Sequence, residues 1–189
     1  MIHLTKTHLA FNGVRWACLA IAKRDQRAVL NYLKIEEDRV VATDGHRLHI
    51  YKPEEKDLQP KALDWEAGLY EVITSNASSV CLNKVEVDES AYPEYQNIIP
   101  RPEGYEVCAH LEARPSKHHI SNSFCKSVKA IHHNSGLGYE YFKDFVSHGA
   151  EGVTLEADGK VSSVGIGCIV LRGEDHLGIL AHTRLGGKD

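Results

Sequence analysis

The segment Val40-Val41-Ala42-Thr43-Asp44-Gly45-His46-Arg47-Leu48 constrains the fold of this chain more than any other stretch. Apolar residues of strand-forming type run into Asp44-Gly45, a favoured turn dipeptide, and a second strand-like run follows it. The segment therefore reads as a β-hairpin with strands at Arg39 to Thr43 and His46 to Tyr51. Its turn is flanked by Thr, His and Arg, so a position that usually carries only tight-turn residues here also carries polar chemistry.

The rest of the chain organises around that hairpin. Residues 3–9 read as a short strand leading into a helix near 10–23, along which Val14, Ala17, Cys18, Ile21 and Ala22 recur at helical spacing. Val29 to Ile35 reads as a strand, and Asp38 opens a turn. The acidic, proline-punctuated stretch Pro53 to Asp64 is a surface loop, followed by strands at Leu69 to Thr74 and Val80 to Val87. A pseudo-boundary falls at Pro100-Arg101-Pro102-Glu103-Gly104. Beyond it come a strand at Tyr105 to Leu111, a helix from Ser121 through His133 and a helical turn near Tyr141 to Val146. Strands at Gly152 to Glu156, Val161 to Leu171 and Leu177 to His182 complete the chain, with Asp158-Gly159 as a turn. Strand, helix and several strands thus occur twice. The expected fold is α+β, with repeated βα-plus-strands units, internal pseudo-symmetry and halves at 1–100 and 101–189.

Composition sets the limits of function. The 189 residues suffice for one generous domain or two small ones. Apolar content of 42% and charged content of 25% are those of an ordinary soluble globular protein. No run approaches the roughly 18 apolar residues of a membrane span, and the N-terminus lacks the layout of a signal peptide. The five cysteines are widely spaced and form no CxxC, as expected of reduced thiols in the cytoplasm. A net charge of −4 neither requires nor excludes a nucleic-acid partner, because phosphate attraction depends on local potential.

The unbroken Ala42-Thr43-Asp44-Gly45-His46-Arg47-Leu48 resembles a motif in the middle domain of the bacterial DNA polymerase III β sliding clamps. Arg27-Ala28-Val29-Leu30-Asn31 is similar to the family strand before that hairpin. Tyr92-Pro93-Glu94-Tyr95-Gln96-Asn97-Ile98-Ile99-Pro100 is similar to the aromatic-Pro-acidic-Tyr segment at the domain end, and Gly178 to Leu185 more loosely resembles the final strand and tail. The resemblance implies a DNA-clamp-like fold and a role in DNA replication. It also implies an outer pocket that takes Gln-Leu-x-Leu-Phe-type peptides from DNA polymerase or other replication and repair proteins. The residues it assigns to peptide binding are Leu30, Thr43, Gly45, His46, Arg47, Leu48, Pro93 and Ile98, with Ile179, Leu180 and Arg184 from the C-terminal stretch. Lys23, Arg24, Lys126 and Lys129 are the cations it would turn towards double-stranded DNA. Encircling a duplex would require a homo-oligomer, because one chain has too few βα units. The chain departs from the family in being shorter between Leu48 and Tyr92, and in carrying Ala181-His182-Thr183 where Met-Pro-Met is usual.

Each signal has a plainer reading. Asp-Gly hairpins are common without function, Pro93 and Pro100 can simply stiffen loops, and Asp44 is expected to cap its own turn. Lysines on a helix face are often only solvated. The twelve histidines include the adjacent pairs His118-His119 and His132-His133, but no HExxH or CxxC accompanies them, so no metal site is expected. Gly165-Ile166-Gly167 lacks the third glycine and helix of a dinucleotide fingerprint. With no GxSxG, P-loop or paired-carboxylate motif either, a non-enzyme without cofactor is expected. A monomeric peptide-binding decoy or regulator of the replisome, which does not encircle DNA, is the alternative.

Overall fold

The computed structural model describes residues 1–54, 65–99, 105–111, 135–136, 144, 153–158, 168–173, 176–181 and 183–184. The chain divides into two compact units, Met1–Ile98 and Ile99–Asp189.

In the first unit, six strands form one antiparallel sheet: β1 (Ile2–Thr5), β2 (Leu33–Ile35), β3 (Val40–Thr43), β4 (Arg47–Tyr51), β5 (Gly68–Ser75) and β6 (Ser79–Val85). Their order is β1-β6-β5-β2-β3-β4. Strict alternation marks β1, where Ile2 and Leu4 are buried while His3 and Thr5 are exposed, so one face of this edge strand meets solvent. In contrast, every residue of β3 and β4 is buried. Register pairs Val40 with Tyr51, Ala42 with His49, and Thr43 with Leu48. Between Val72 and Thr74 the β5–β6 register slips by one residue, and the extra residue, Ile73, stands exposed.

One helix, α1 (Phe11–Cys18), covers the sheet. Phe11, Val14 and Ala17 face Leu4, Leu33, Ile35, Val40, Ala42, Tyr51, Tyr70 and Leu82, which together form the core. A Cβ on Gly13 would lie 2.3 Å from the Tyr51 ring, so the helix seats on that tyrosine only because position 13 has no side chain. Trp16 stacks on His49 with ring centroids 4.0 Å apart and planes at 9°. His49 Nδ1 donates to the Trp16 carbonyl at 2.9 Å, which fixes this core imidazole as the Nδ1–H tautomer.

Two elements differ from the sequence expectation. The helix ends at Cys18 instead of continuing to about residue 23. The amides of Leu19, Ala20 and Ile21 donate to the carbonyls of Trp16, Ala17 and Cys18, an i→i−3 pattern that tightens the chain into turns. Ile21 and Ala22 keep the helical spacing, and Ala22 is buried, but both lie past the end of the helix. The expected strand Val29 to Ile35 is a 3₁₀ turn at Ala28–Asn31 followed by the short strand β2. The Ala22 amide donates to the Leu30 carbonyl, and Asn31 exchanges hydrogen bonds with the Asp25 backbone in both directions. These bonds close a loop where an extended strand would have run.

In the second unit, β7 (Tyr105–Leu111), β9 (Val153–Asp158), β10 (Cys168–Arg172) and β11 (His176–Ala181) are antiparallel in the order β11-β10-β9-β7. A separate pair joins β8 (Ser135–Gly136) to β12 (Thr183–Arg184). Val170 and Ile179, which face each other across β10 and β11, are both buried. Asp144 is helical. The expected helix at Ser121 to His133, the start of the strand at Val161, Gly159, and most of the Pro53 to Asp64 loop lie outside the described residues. No helix among the described residues is long and apolar enough to cross a membrane.

Candidate functional site

The hairpin turn between β3 and β4 is held by its own side chains. Thr43 Oγ1 donates to the Arg47 carbonyl at 2.7 Å and accepts from the Gly45 amide at 3.1 Å. Asp44 Oδ1 accepts from the amides of His46 and Arg47 at 2.9 and 3.0 Å. Its other oxygen, Oδ2, accepts from Arg47 Nε at 3.0 Å, and both side chains of this ion pair are largely buried. Asp44 thus neutralises Arg47 and satisfies two turn amides at once. Gly45 adopts φ +86°, a conformation that favours glycine, and leaves His46 exposed at the tip.

The loop before β2 lies against this tip. The Arg27 guanidinium occupies the space a Gly45 side chain would need, 2.8 Å from where its Cβ would lie. Arg27 is in turn held by Asp25 through Nε at 2.9 Å and the terminal nitrogen at 3.0 Å. That fork holds the Asp25 carboxyl down at about 2, with the nearby His46 adding a smaller attraction. Arg24, at φ +62°, turns the chain just before Asp25. Lys23 and Arg24 are exposed, and they sit on this loop five and six positions beyond the end of α1, instead of on the helix itself.

The second wall comes from Tyr92-Pro93-Glu94-Tyr95. Tyr92 and Tyr95 are buried, and Pro93 between them is exposed. Tyr95 donates its hydroxyl proton to Glu36 Oε2 at 2.6 Å. Lys34 Nζ lies 5.2 Å from the centroid of the Tyr92 ring and 3.2 Å from Glu36 Oε1. Burial pushes both tyrosine hydroxyls well above the usual tyrosine range, Tyr95 further through its bond to Glu36.

Among the residues expected to bind peptide, Thr43, Gly45, His46, Arg47 and Leu48 share the hairpin, and Leu30 lies in the 3₁₀ turn that follows the Asp25–Arg27 loop. Leu30 and Leu48 are fully buried, so a ligand side chain would reach them only by displacing what covers them. The accessible groups are His46, Pro93 and Arg27. Ile98 ends the 3₁₀ turn Tyr95–Ile98. Ile179 and Leu180 lie in β11 and Arg184 in β12, all in the second unit. Lys126 and Lys129 lie outside the described residues. Sequence reading missed Asp25, Lys34 and Glu36 as organising residues, and placed Arg27 only within a presumed strand. The Asp25-x-Arg27 spacing was a readable local signal. Glu36 and Tyr95, 59 positions apart, offered none. Among the described residues, no three His, Cys, Asp or Glu side chains are grouped to hold a metal ion.

No family model matches the sequence, and no curated protein does. Solved structures do. The DNA polymerase sliding clamp of Pseudomonas aeruginosa superposes at a TM-score of 0.56 with 15% identity, covering 97% of this chain and 66% of that one. The DNA polymerase III β chain of Streptococcus pneumoniae gives 0.57 at 13% identity, over 97% of this chain and 64% of that one. The Bacillus subtilis sliding clamp gives 0.54 at 14% identity, over 98% and 64%. The fold is therefore that of the bacterial DNA polymerase sliding clamps, an α+β architecture. This chain is a divergent, clamp-like version of it, spanning about two-thirds of the length of the clamps it matches.

Proposed function

We propose that this protein is a non-enzymatic, sliding-clamp-like accessory factor of DNA replication, working in the cytoplasm and binding client peptides of the polymerase type. The observation that carries the reading is the Thr43 to Leu48 turn. Its Asp44–Arg47 pair and Thr43 brace build a tip that presents Gly45 and His46 to solvent, and the segment carrying the exposed Pro93 is tied to the same hairpin through Tyr92 and the Val41 carbonyl. A preformed surface with few polar groups suits a short peptide, because little ordering entropy remains to be lost on binding. In this reading the two units are clamp-type halves. Leu30 and Leu48, both buried, would back that surface from within. Lys23, Arg24, Lys126 and Lys129 are the cations proposed to face double-stranded DNA, around which copies of the chain would close as a cyclic homo-oligomer.

The test is fluorescence anisotropy of a labelled Gln-Leu-x-Leu-Phe peptide, with His46→Ala and Pro93→Ala as controls, since both positions are exposed. Saturable micromolar binding, about −8 kcal/mol, weakened in both variants is the expected result. Absence of binding at high protein concentration overturns the client-peptide reading. Retention on nicked circular but not linear DNA would separate a ring from a monomeric decoy or regulator of the replisome.

A further inference from the structure

Pro93 is exposed, yet no side chain of its own can fix where it stands. Its position is set by Tyr92 and Tyr95 on either side, which are tied to β2, to Glu36 just after it and to β3. In β2, Leu33 and Ile35 belong to the core while Lys34 is half-buried, and Glu36 follows the strand's last residue. Glu36 divides its two oxygens: Oε1 meets Lys34 Nζ at 3.2 Å, and Oε2 accepts from Tyr95 at 2.6 Å with Arg39 Nε at 3.7 Å. Lys34 in turn lies over the Tyr92 ring, and the Tyr92 hydroxyl makes a long hydrogen bond, 3.4 Å, to the Val41 carbonyl. The segment closes on itself between these anchors, since the Tyr95 amide donates to the Pro93 carbonyl at 2.8 Å. Strand β2, Glu36, Tyr95, Pro93, Tyr92 and Lys34 therefore form a closed ring of contacts, in which the Glu36 carboxylate is the charged acceptor.

We infer that Glu36 is a positioning residue for the Pro93 wall of the peptide site, acting through the Tyr95 hydroxyl; this rests on the peptide-binding reading above. Glu36 does not touch the ligand. It holds Tyr95, and with it the Pro93 carbonyl that accepts from the Tyr95 amide, so the peptide meets a wall that need not be ordered on binding.

The experiment measures peptide affinity and thermal midpoint for wild type, Tyr95→Phe, Glu36→Ala and Glu36→Gln. Tyr95→Phe and Glu36→Ala are expected to weaken the peptide about five- to tenfold, the scale of one lost hydrogen bond to a charged group. Glu36→Gln keeps an oxygen that accepts from Tyr95 and loses the charge, so it should bind within about twofold of wild type. The Glu36→Ala/Tyr95→Phe double variant should bind no worse than either single one. Thermal midpoints well above the titration temperature in every variant separate a loss of affinity from a loss of folded chain. Wild-type affinity in Glu36→Ala overturns the inference and leaves the client-peptide reading standing, as does an equal loss in Glu36→Ala and Glu36→Gln. A folded wild-type chain that takes up no peptide overturns both.

Discussion

The two walls of the candidate site are built by opposite means. In the hairpin, Thr43 reaches Gly45 and Arg47, and Asp44 reaches His46 and Arg47, so each of these bonds closes within four residues. In the Tyr92-Pro93-Glu94-Tyr95 segment the decisive partners are Val41 and Glu36, 51 and 59 positions away. The first wall can form as soon as its own strands pair. The second exists only once β2 and β3 stand in register, since these strands carry its anchors. Local bonds make a tip whose shape is independent of the remaining chain, whereas remote bonds make a wall that reports on the whole sheet.

The largest expected effect falls on the self-contained wall. Asp44→Ala removes the partner of a largely buried arginine and strands two turn amides, which should cost about 3 kcal/mol in urea unfolding. Asp44→Asn, which still accepts from the amides, should cost about half of that. Next comes Tyr95→Phe, at about 1.5 kcal/mol. If the walls are independent, its cost should add to that of Asp44→Ala within about 0.5 kcal/mol, and a larger coupling energy would break the comparison. Gly45→Ala should cost about 1 kcal/mol for the left-handed backbone, with Arg27 swinging away to make room. An NMR spectrum of that variant should show the Arg27 side-chain signal shifted.

The smallest effect is electrostatic. The Asp25 carboxyl is held at about 2, below its ordinary 3.8, by the Arg27 fork. A depressed carboxyl contributes stability above its unfolded value and loses it as pH falls through its folded one. The loop contribution should therefore be whole near neutrality and disappear between about pH 4 and pH 2, weakly, because the pair is exposed and screened. Carbon-detected titration of Asp25 should move up from about 2 in Arg27→Gln yet stay below 3.8, because the Arg27 backbone amide still donates to Oδ1 at 2.8 Å.

The same contrast explains what could be read from the sequence. The hairpin was legible because its turn, strands and caps are neighbours, and Asp44 does cap its own turn. Strands β5 and β6 were legible from residue type. The extent of α1 was not, since Ile21 and Ala22 satisfy helical spacing while the backbone has already tightened into i→i−3 turns and the Ala22 amide has turned to Leu30. Leu30 was assigned to a strand because apolar residues surround it, and the competing signal was the Asn31 amide folding back on Asp25. A helix running to about residue 23 would carry Lys23 and Arg24 at its end, and they lie on the loop because α1 stops at Cys18. Nothing in a linear reading pairs Glu36 with Tyr95.

The Trp16–His49 stack gives the first unit an optical signature. An indole held face to face with an imidazole at 4.0 Å is placed for excited-state quenching by that ring. Separation of the two rings on unfolding changes the emission of Trp16 without any label. Because the pair joins α1 to β4, the colour and yield of that emission follow the docking of helix on sheet, and a Trp65→Phe background would leave it as the sole reporter.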